Sequence, residues 1–265
     1  MKKKLLIVVV VVITLVLTIV SIRSHKTKIR DFKSILASGR ISVVTDNSSL
    51  GFRVENDSVY GFQYEIMKAF ADKYELELQL TQQNDFEESM LAVQDGDFDI
   101  YANFIPTYAN MSKTVLLSSP LIKSRLILVQ RIDSLNPSIV EKQFELAGDT
   151  IFMAENSPYK TRIRNLSNEI ADTIYIEEIK AVNIETLVQM VSESKLKNTI
   201  CLECEAKNLK KKYSNIDISL AVGFNQYQAW AMNKKSKELA EKLDSFLDEY
   251  VESSEYWSLY SKYFN

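Results

Sequence analysis

The sequence has very little histidine and glycine, and both shortages exclude whole classes of protein. Its 265 residues include a single histidine, His25, which lies beside an N-terminal apolar run. Without other histidines, the chain cannot assemble a Ser-His-Asp or Cys-His nucleophile or a histidine-based zinc site. The six glycines are too widely spaced for the G-x-G-x-x-G or P-loop motifs of nucleotide-binding folds. We therefore expect no metal and no cofactor.

The charge balance also excludes a class of partner. There are 32 Lys and Arg against 35 Asp and Glu, a net charge of −3. Nucleic-acid binding requires a basic face, so we expect no nucleic-acid partner. The apolar fraction of 46% and the charged fraction of 25% are typical of a globular protein. The length suits one large domain or two lobes of about 100 residues each.

Three N-terminal lysines precede an apolar run over residues 5–22 that has only three polar interruptions. At about 1.5 Å per residue, the run would span roughly 27 Å, enough for a bilayer core. Signal-peptide apolar regions are shorter, about 7–15 residues, and end in a cleavage site with small residues. We predict an uncleaved signal anchor over residues 1–23 and a juxtamembrane linker over 24–40. The chain would then cross the inner membrane once, with its bulk in the periplasm. The alternative is a long cleaved signal and a soluble periplasmic protein.

The rest of the chain alternates between strand and helix patterns. Residues 41–45 and 76–80 have strand patterns, and residues 64–74 have an amphipathic helix pattern between them. Asp85 is predicted to cap the start of the next helix, and Gly96 its end. Such alternation predicts parallel sheets with helices on both faces.

A second alternating series occupies residues 151–232. Within it, Ser157 is predicted as a helix N-cap followed by a proline, and Asn183 as another N-cap. Residues 218–222 are predicted as a strand. Two series predict two α/β lobes with a ligand cleft between them. The predicted lobes are residues 41–130 with 225–265, and residues 131–224.

Five segments together resemble the family 3 extracytoplasmic solute-binding proteins, which serve as amino-acid receptors in ABC import. The resemblance covers about residues 41–264 and implies the two-lobed, type II periplasmic-binding-protein fold. The five segments are residues 61–66 (GFQYEI), 91–99 (LAVQDGDFD), 113–120 (KTVLLSSP), 227–234 (YQAWAMNK) and 257–264 (WSLYSKYF).

The chain is also similar to the receptor-like module of the membrane-bound lytic murein transglycosylase F family. Residues 41–48 and 226–230 carry that similarity. In those enzymes a catalytic domain follows the module. The sequence here ends at Asn265, so we expect no catalytic domain and no enzyme activity.

The resemblance implies a set of ligand contacts. Met111 stands where the family has the arginine that binds a ligand carboxylate, and methionine cannot neutralise that charge. The ligand is therefore expected to lack a free α-carboxylate or to meet the site differently. Glu203 falls at the position of the acid that binds a ligand ammonium group. The alternative for Glu203 is an exposed residue at a strand end.

Further contacts are implied on both lobes. Asn156 and Ser157 lie where the family has a ligand-binding turn, although Ser157 could serve only as an N-cap. Phe52 matches an aromatic residue that covers the ligand, or it packs elsewhere. The remaining candidates follow the strand that begins at Asp99, and they are Asn103, Phe104 and Tyr108.

Cys201 and Cys204 form a C-x-x-C motif at a predicted strand-to-helix junction. In an oxidising compartment they could form a disulfide. The alternative is a pair of unpaired buried thiols, because the setting is wrong for thioredoxin-like chemistry.

These observations lead to one main functional expectation. The chain is expected to be a membrane-tethered receptor for a small polar solute: an amino-acid-like compound, a peptide or a cell-wall fragment. Its partner would be an ABC permease or another envelope protein. The alternative is a non-catalytic sensor or regulatory ectodomain that acts through an envelope partner.

Overall fold

The two strand–helix series form two separate sheets in the computed structural model. The structure describes residues 29–55, 58–107, 111–132 and 139–265, with only the backbone at Met111. The strands are β1 (Arg40–Thr45), β2 (Arg53–Glu55), β3 (Ser58–Tyr60), β4 (Glu77–Gln82), β5 (Ile100–Pro106), β6 (Val115–Leu117), β7 (Ile122–Ser124), β8 (Leu126–Arg131), β9 (Thr150–Ala154), β10 (Tyr175–Ile179), β11 (Asn198–Leu202), β12 (Ile216–Asp217) and β13 (Gln226–Asn233). The α-helices are α1 (Phe32–Ser38), α2 (Phe62–Lys73), α3 (Phe86–Asp95), α4 (Lys160–Glu169), α5 (Ile184–Ser192), α6 (Glu203–Lys212), α7 (Lys237–Tyr250) and α8 (Ser254–Phe264).

The first lobe contains a six-stranded sheet in the order β4-β1-β5-β13-β6, with β7 also paired to β13. Strands β1, β4 and β5 are parallel, and β13 runs antiparallel to β5. Strands β2 and β3 form a separate hairpin. The carboxyl ends of the parallel strands meet at one edge, which is where ligands bind in open α/β sheets.

The second lobe contains a five-stranded sheet in the order β10-β9-β11-β8-β12. Strand β9 is parallel to β10 and β11, whereas β8 is antiparallel to β11. The prediction had placed the segment of β8 at the end of the first lobe, within residues 41–130. Five of its six residues are buried, so its apolar pattern does not indicate which of the two sheets it joins.

The chain crosses between the lobes twice, and the two crossings lie side by side. The first crossing is the short link between β7 and β8. The second precedes β13, where the backbone N–H groups of Val222 and Gly223 donate to the carbonyl of Leu126 at 2.9 and 3.1 Å. A Cβ on Gly223 would lie 3.1 Å from the Cβ of Leu126. We call these two adjacent segments the paired hinge, because any rotation of one lobe against the other would bend the chain there.

Both ends of the described chain are held in the first lobe. The Arg30 guanidinium pairs with Asp99, with its Nε 3.0 Å from a carboxylate oxygen. The Ser236 hydroxyl donates to the Arg30 carbonyl at 2.6 Å. Near the C-terminus, the Phe264 ring packs at 4.9 Å against the buried ring of Phe62. The second lobe is thus inserted within the first.

Two predicted helix starts and one predicted helix end are confirmed. Asp85 caps α3 by accepting from the backbone N–H of Glu88 at 2.9 Å. Gly96 ends the same helix in a left-handed conformation with φ of 86°. Asn183 caps α5 by accepting from the N–H of Thr186 at 2.9 Å.

Two predicted elements near the cleft differ from the structure. Helix α4 begins at Lys160, and Ser157 is not its N-cap. The Ser157 hydroxyl instead accepts from the N–H of Tyr159 at 3.4 Å, within a turn that delays the helix. The strand predicted over 218–222 is reduced to a single bridge with Ile127.

The predicted signal anchor over residues 1–23 lies outside the described residues, as do residues 24–28 of the predicted linker. The rest of that linker is not a linker: α1 forms there with Phe32 and Ile35 buried, and β1 begins at Arg40. Within the described ranges, no helix combines the length and apolar character needed to cross a bilayer.

Candidate functional site

A small cavity lies between the two lobes, beside the carboxyl ends of β1, β9 and β11. The first lobe lines it with Asp46, Asn84, Phe86, Tyr101, Asn103 and Phe104, and the second with Met153, Ala154, Glu155, Ser157, Pro158, Tyr159, Val182, Asn183, Ile184, Leu187, Ile200, Cys201 and Glu205. Its volume is about 90 Å³. Ligand pockets commonly measure about 300–1,000 Å³, so this cavity is small for a ligand pocket.

Asp46 is the first-lobe acid of the cavity, and it directly follows β1. Its carboxylate accepts from the N–H of Ser48 at 3.0 Å and from the Ser48 hydroxyl at 2.6 Å. The Asn103 amide lies 3.4 Å from its other oxygen. Burial nevertheless raises the pKa of Asp46, because shielding from water outweighs these hydrogen bonds.

Glu205 is the second-lobe acid, in the first turn of α6. Its carboxylate accepts from the N–H of Leu202 at 2.8 Å. Burial and, to a smaller extent, the charge of Asp46 together raise the pKa of Glu205 to about 8, although the hydrogen bond from the Leu202 N–H opposes the rise. The two acids therefore face the same cavity from opposite lobes, and each disfavours the charge of the other.

The charged lining of the cavity is entirely acidic. Asp46, Glu155 and Glu205 line it, and none of its described lining residues is a lysine or arginine. Buried carboxylates are stable when a cation pairs with them. A cationic group is therefore the ligand that this lining would stabilise best.

Aromatic side chains form the walls around the acids. The rings of Phe86 and Tyr101 lie 5.9 Å apart on the first-lobe side. From the second lobe, the Tyr159 hydroxyl lies 3.4 Å from the carbonyl of Phe104 and 3.3 Å from the side-chain oxygen of Gln228. Tyr159 therefore bridges the lobes as well as lining the cavity.

A charged contact outside the cavity also joins the lobes. Arg53 of the first lobe forms hydrogen bonds with both carboxylate oxygens of Glu185 in the second. Glu185 also accepts from the Ser49 N–H and from Lys212, each at 3.0 Å. Burial alone would raise the pKa of Glu185, but Lys212, the Ser49 N–H and Arg53 outweigh it and lower the pKa. We call Arg53, Glu185 and Lys212 the interlobe latch.

A larger groove of about 740 Å³ adjoins the cavity. The groove runs between α3 of the first lobe and the start of α4 in the second. It shares Phe86, Ser157, Pro158 and Tyr159 with the cavity. A ligand anchored in the cavity could therefore extend into the groove.

Comparison with known proteins settles the family. Residues 40–265 match the family described as bacterial extracellular solute-binding proteins, family 3. The chain belongs to this family. The two lobes and the cleft between them are therefore the family 3 fold, as the resemblance implied.

Among curated proteins, the family 3 chain is similar to the membrane-bound lytic murein transglycosylases F. It is 24% identical over 242 residues to the one from Desulfosudis oleivorans, covering 91% of this chain and 52% of that protein. It is 23% identical over 242 residues to the one from Mannheimia succiniciproducens, covering 88% and 48%. The chain spans about half the length of the curated relatives it matches.

Solved structures with the same fold are amino-acid-binding proteins. One is an amino acid ABC transporter substrate-binding protein from Streptococcus pneumoniae bound to L-arginine, with a TM-score of 0.74 and 20% identity. The match covers 88% of this chain and 98% of the Streptococcus pneumoniae protein. Another is an ancestral arginine-binding protein bound to arginine, with a TM-score of 0.72, 19% identity and coverage of 86% and 99%. At these identities the likeness shows the fold.

Four of the predicted ligand contacts lie at the cleft of this family 3 protein. Asn103, Phe104 and Ser157 line the cavity. Asn156 lines the adjoining groove, at a turn where its φ is 60°. Phe104 is only 5% exposed, so it contributes mainly its backbone and one face of its ring.

The other predicted contacts lie elsewhere or outside the described residues. Phe52 packs against Tyr64, with ring centroids 5.4 Å apart, and lines a different surface depression. Tyr108 lies outside the described residues. Met111 begins a 3₁₀ turn, and its side chain is not among those described.

Glu203 does not line the cavity either. Its carboxylate pairs with Arg125 at 3.0 Å and with Lys207 at 3.4 Å. Burial opposes the charge of Glu203, but these two cations prevail and lower its pKa. Glu205, two residues later, is the acid that faces the cleft.

The disulfide considered between Cys201 and Cys204 does not form, and both are free, buried thiols. They belong to different apolar clusters, Cys201 with Val188 and Cys204 with the main core. Burial raises the pKa of both thiols.

The sequence analysis missed most of the acidic and aromatic lining. The missed residues with the strongest chemistry are Asp46, Phe86, Asn183 and Glu205. A signal was present for Asp46, since it follows a strand of a parallel sheet and such positions line the cleft. Phe86 had a weaker signal as the first residue of a helix that follows β4.

Proposed function

We propose that this protein binds a small cationic solute in the cavity between its lobes, without catalysing a reaction. The observation that carries the proposal is the pair of acids, Asp46 and Glu205, which face one cavity from opposite lobes. The absence of lysine and arginine from the described lining leaves these acids without an internal cation there. Two structures with this fold are named as bound to arginine, which is consistent with a cationic ligand.

The acids also explain how binding would be coupled to closure. Burial raises the pKa of both carboxyl groups, so the closed cavity favours their protonated forms. A cation that enters between them stabilises the charged forms and takes the place of a proton. Because Asp46 and Glu205 belong to different lobes, one bound cation would attract both lobes and favour the closed state.

The proposal includes a location and a downstream role. The apolar run over residues 5–22 would anchor the chain in the inner membrane with both lobes in the periplasm. The solute-bound state would then be recognised by an ABC permease for uptake or by an envelope protein for sensing.

Protease treatment of spheroplasts would degrade both lobes if they face the periplasm. An intact N-terminus in the membrane fraction would support the anchor, and a mature protein that lacks residues 1–23 would contradict it.

The alternative is a regulatory ectodomain whose main ligand is an envelope protein. The interlobe latch favours this alternative, because residues of the chain itself hold the lobes together. The regulatory function would be supported if the purified protein bound an envelope protein with the same affinity in the presence and absence of solutes.

Calorimetric titration of the full-length protein in detergent would test the solute proposal. The probes are agmatine, putrescine, L-arginine, a neutral sugar, a short peptide and a muropeptide. We expect at least one cationic probe to bind, and a probe at 100 times its dissociation constant to add about 2.7 kcal/mol of stability. Asp46→Asn and Glu205→Gln should each weaken binding at least tenfold.

Glu203→Gln is the matched control, because Glu203 lies two residues from Glu205 but pairs with Arg125 outside the cavity. It should bind the cationic probe as the wild type does. The proposal is wrong if no cationic probe binds, or if Asp46→Asn and Glu205→Gln bind it as tightly as Glu203→Gln.

A further inference from the structure

The turn between β9 and α4 presents hydrogen-bond donors to the groove, and the carboxylate of Glu178 accepts hydrogen bonds from them. Asn156 has a φ of 60° in this turn. Its backbone N–H donates to one carboxylate oxygen of Glu178 at 3.0 Å. The ammonium group of Lys160, at the start of α4, donates to the other oxygen. Asn156, Lys160 and Glu178 all line the groove.

Glu178 reaches this turn because of the sheet register. It lies in β10, which pairs in parallel with β9 so that Glu178 is opposite Met153, three residues before Asn156. The hydrogen bond from Lys160 lowers the pKa of Glu178, and the Asn156 N–H lowers it further, although burial opposes both. Glu178 is therefore an anion at neutral pH.

Each described cation that lines the groove already pairs with a carboxylate of the chain. Among its described lining residues the cations are Lys160 and Arg162. Lys160 pairs with Glu178, and Arg162 pairs with Glu169 at 2.6 and 3.0 Å. A backbone N–H and an ammonium group are typical donors for a carboxylate, but here an anionic ligand would meet satisfied donors and the charge of Glu178.

We propose that Glu178 is a specificity-determining residue whose carboxylate engages the donors that a ligand carboxylate would need at this turn, so that the site takes amines and amides and rejects ligands with a free carboxylate. The inference rests on the proposed cation site and names the ligand class of that site. A ligand carboxylate at the turn would have to displace Glu178 from Lys160 and leave it unpaired, which disfavours the unwanted ligand.

The lining of the cavity agrees with this assignment in two ways. The cavity that adjoins the groove has no lysine or arginine in its described lining, so the other described wall of the cleft offers a ligand carboxylate no cation. The acids Asp46 and Glu205 already supply two carboxyl groups for one cation. A cationic ligand with no carboxylate therefore matches the charge of the closed cleft better than an amino acid does.

The test compares probes that differ only in the carboxylate. Agmatine and L-arginine form one pair, and cadaverine and L-lysine form a second. Titration of the full-length wild type should show the amine of at least one pair binding at least tenfold tighter than its amino acid. In Glu178→Ala, affinity for the amino acid should rise at least tenfold, while affinity for the amine changes less than threefold.

Two further variants separate this effect from a general change in the lobe. Glu177→Ala alters the adjacent, exposed residue of β10, which does not line the groove, and should keep the wild-type preference. Glu178→Ala combined with Lys160→Ala should lose the gain for the amino acid, because the freed ammonium group is then missing. Glu178→Gln keeps the side-chain shape and should show a smaller gain in the same direction.

The outcomes distinguish this inference from the proposed function. Suppose that an amine binds the wild type and that the preference for the amine is unchanged in Glu178→Ala. Glu178 then does not set the specificity, and the cation site stands. If Glu178→Ala does not fold, Glu178→Gln gives the same comparison. If the wild type prefers the amino acid, the inference is also wrong. If none of the four probes binds any variant, the cation site itself is wrong and this inference falls with it.

Discussion

Arg53 of the first lobe donates from both of its terminal guanidinium nitrogens to the two carboxylate oxygens of Glu185 in the second, each at 3.2 Å. Glu185 is 5% exposed, and the bidentate geometry is the strongest that this pair of side chains can adopt. Since the contact lies outside the cavity, it favours closure whether or not a solute is bound. The latch therefore sets how far the unliganded equilibrium lies toward the closed state.

Removing the guanidinium should open the lobes. In Arg53→Met, Glu185 keeps Lys212 and the Ser49 N–H as partners, so we expect closure to weaken by about 1–3 kcal/mol, less than for a fully unpaired buried charge. Pulsed spin-label distances between the lobes should become longer and broader. Arg40→Met changes an exposed arginine of the same lobe and should leave the distances as in the wild type. Unchanged distances in Arg53→Met would show that the latch does not control closure.

The stability of the protein should fall as pH rises through the neutral range. Glu205 has a pKa of about 8 in the folded state and about 4.5 as its ordinary value. Between these values the unfolded chain has released the proton and the folded chain has kept it, so raising the pH favours unfolding. The loss from pH 5 to 8 should be on the order of 3 kcal/mol. The raised pKa of Asp46 acts in the same direction.

Glu205→Gln should remove most of this pH dependence, because glutamine carries no titrating proton. Urea unfolding of wild type and variant at pH 5, 6.5 and 8 would measure it. Parallel slopes of unfolding free energy against pH for the two proteins would contradict the assignment to Glu205.

A related expectation is that a proton is released when a cationic probe binds at pH 7. Calorimetry would detect the release as a binding enthalpy that changes with the ionisation enthalpy of the buffer.

The two cysteines should remain reduced and unreactive in the folded protein. Both are buried, and burial raises the pKa of each thiol, so little thiolate is present. We expect two alkylation events per chain after unfolding and slow alkylation before it. Mass spectrometry without a reductant would measure both. A disulfide would instead be established if the mass of the native protein were lower by two hydrogens than that of the reduced chain and no thiol were labelled after unfolding.

Gly51→Ala should damage the cavity through Asp46. An added Cβ at Gly51 would overlap the carboxylate and the carbonyl of Asp46, so the acid or the loop must move. We expect a loss of about 1–3 kcal/mol in unfolding free energy and at least a tenfold loss in affinity for a cationic probe. Gly39→Ala is the control, because it has a φ of 66° but nothing within 4 Å of an added Cβ. It should lose about 1 kcal/mol and bind normally.

Local sequence rules predicted the elements well where the signal was itself local. The Asp85 cap, the Gly96 end and the Asn183 cap each depend on residues within a few positions, and all three are present. The same rules failed at Ser157, where the pattern of serine followed by proline appears in a turn that precedes the helix. Strand β8 shows a different limit, since its continuous apolar run of four residues, 126–129, fits either sheet equally well.

The choice of site residues needed spatial information that the sequence does not carry. Glu203 and Glu205 lie in the first turn of α6, and two residues on a helix point about 200° apart. The direction of the cleft therefore decides which acid lines it. Phe52 and Phe86 pose the same problem, because each follows a strand of the first sheet. The latch joins residues 132 positions apart, and no local pattern indicates such a pair.

The insertion of the second lobe within the first has a mechanical consequence. The described residues up to the end of β7 and those from the start of β13 onward belong to one body, and the paired hinge beside Leu126 is the described connection to the other. Any tether or additional domain joined to either end would be attached to the first lobe. It would not be moved directly by a rotation of the second lobe. In the frame of the two described chain ends, closure would therefore appear as a displacement of the second lobe.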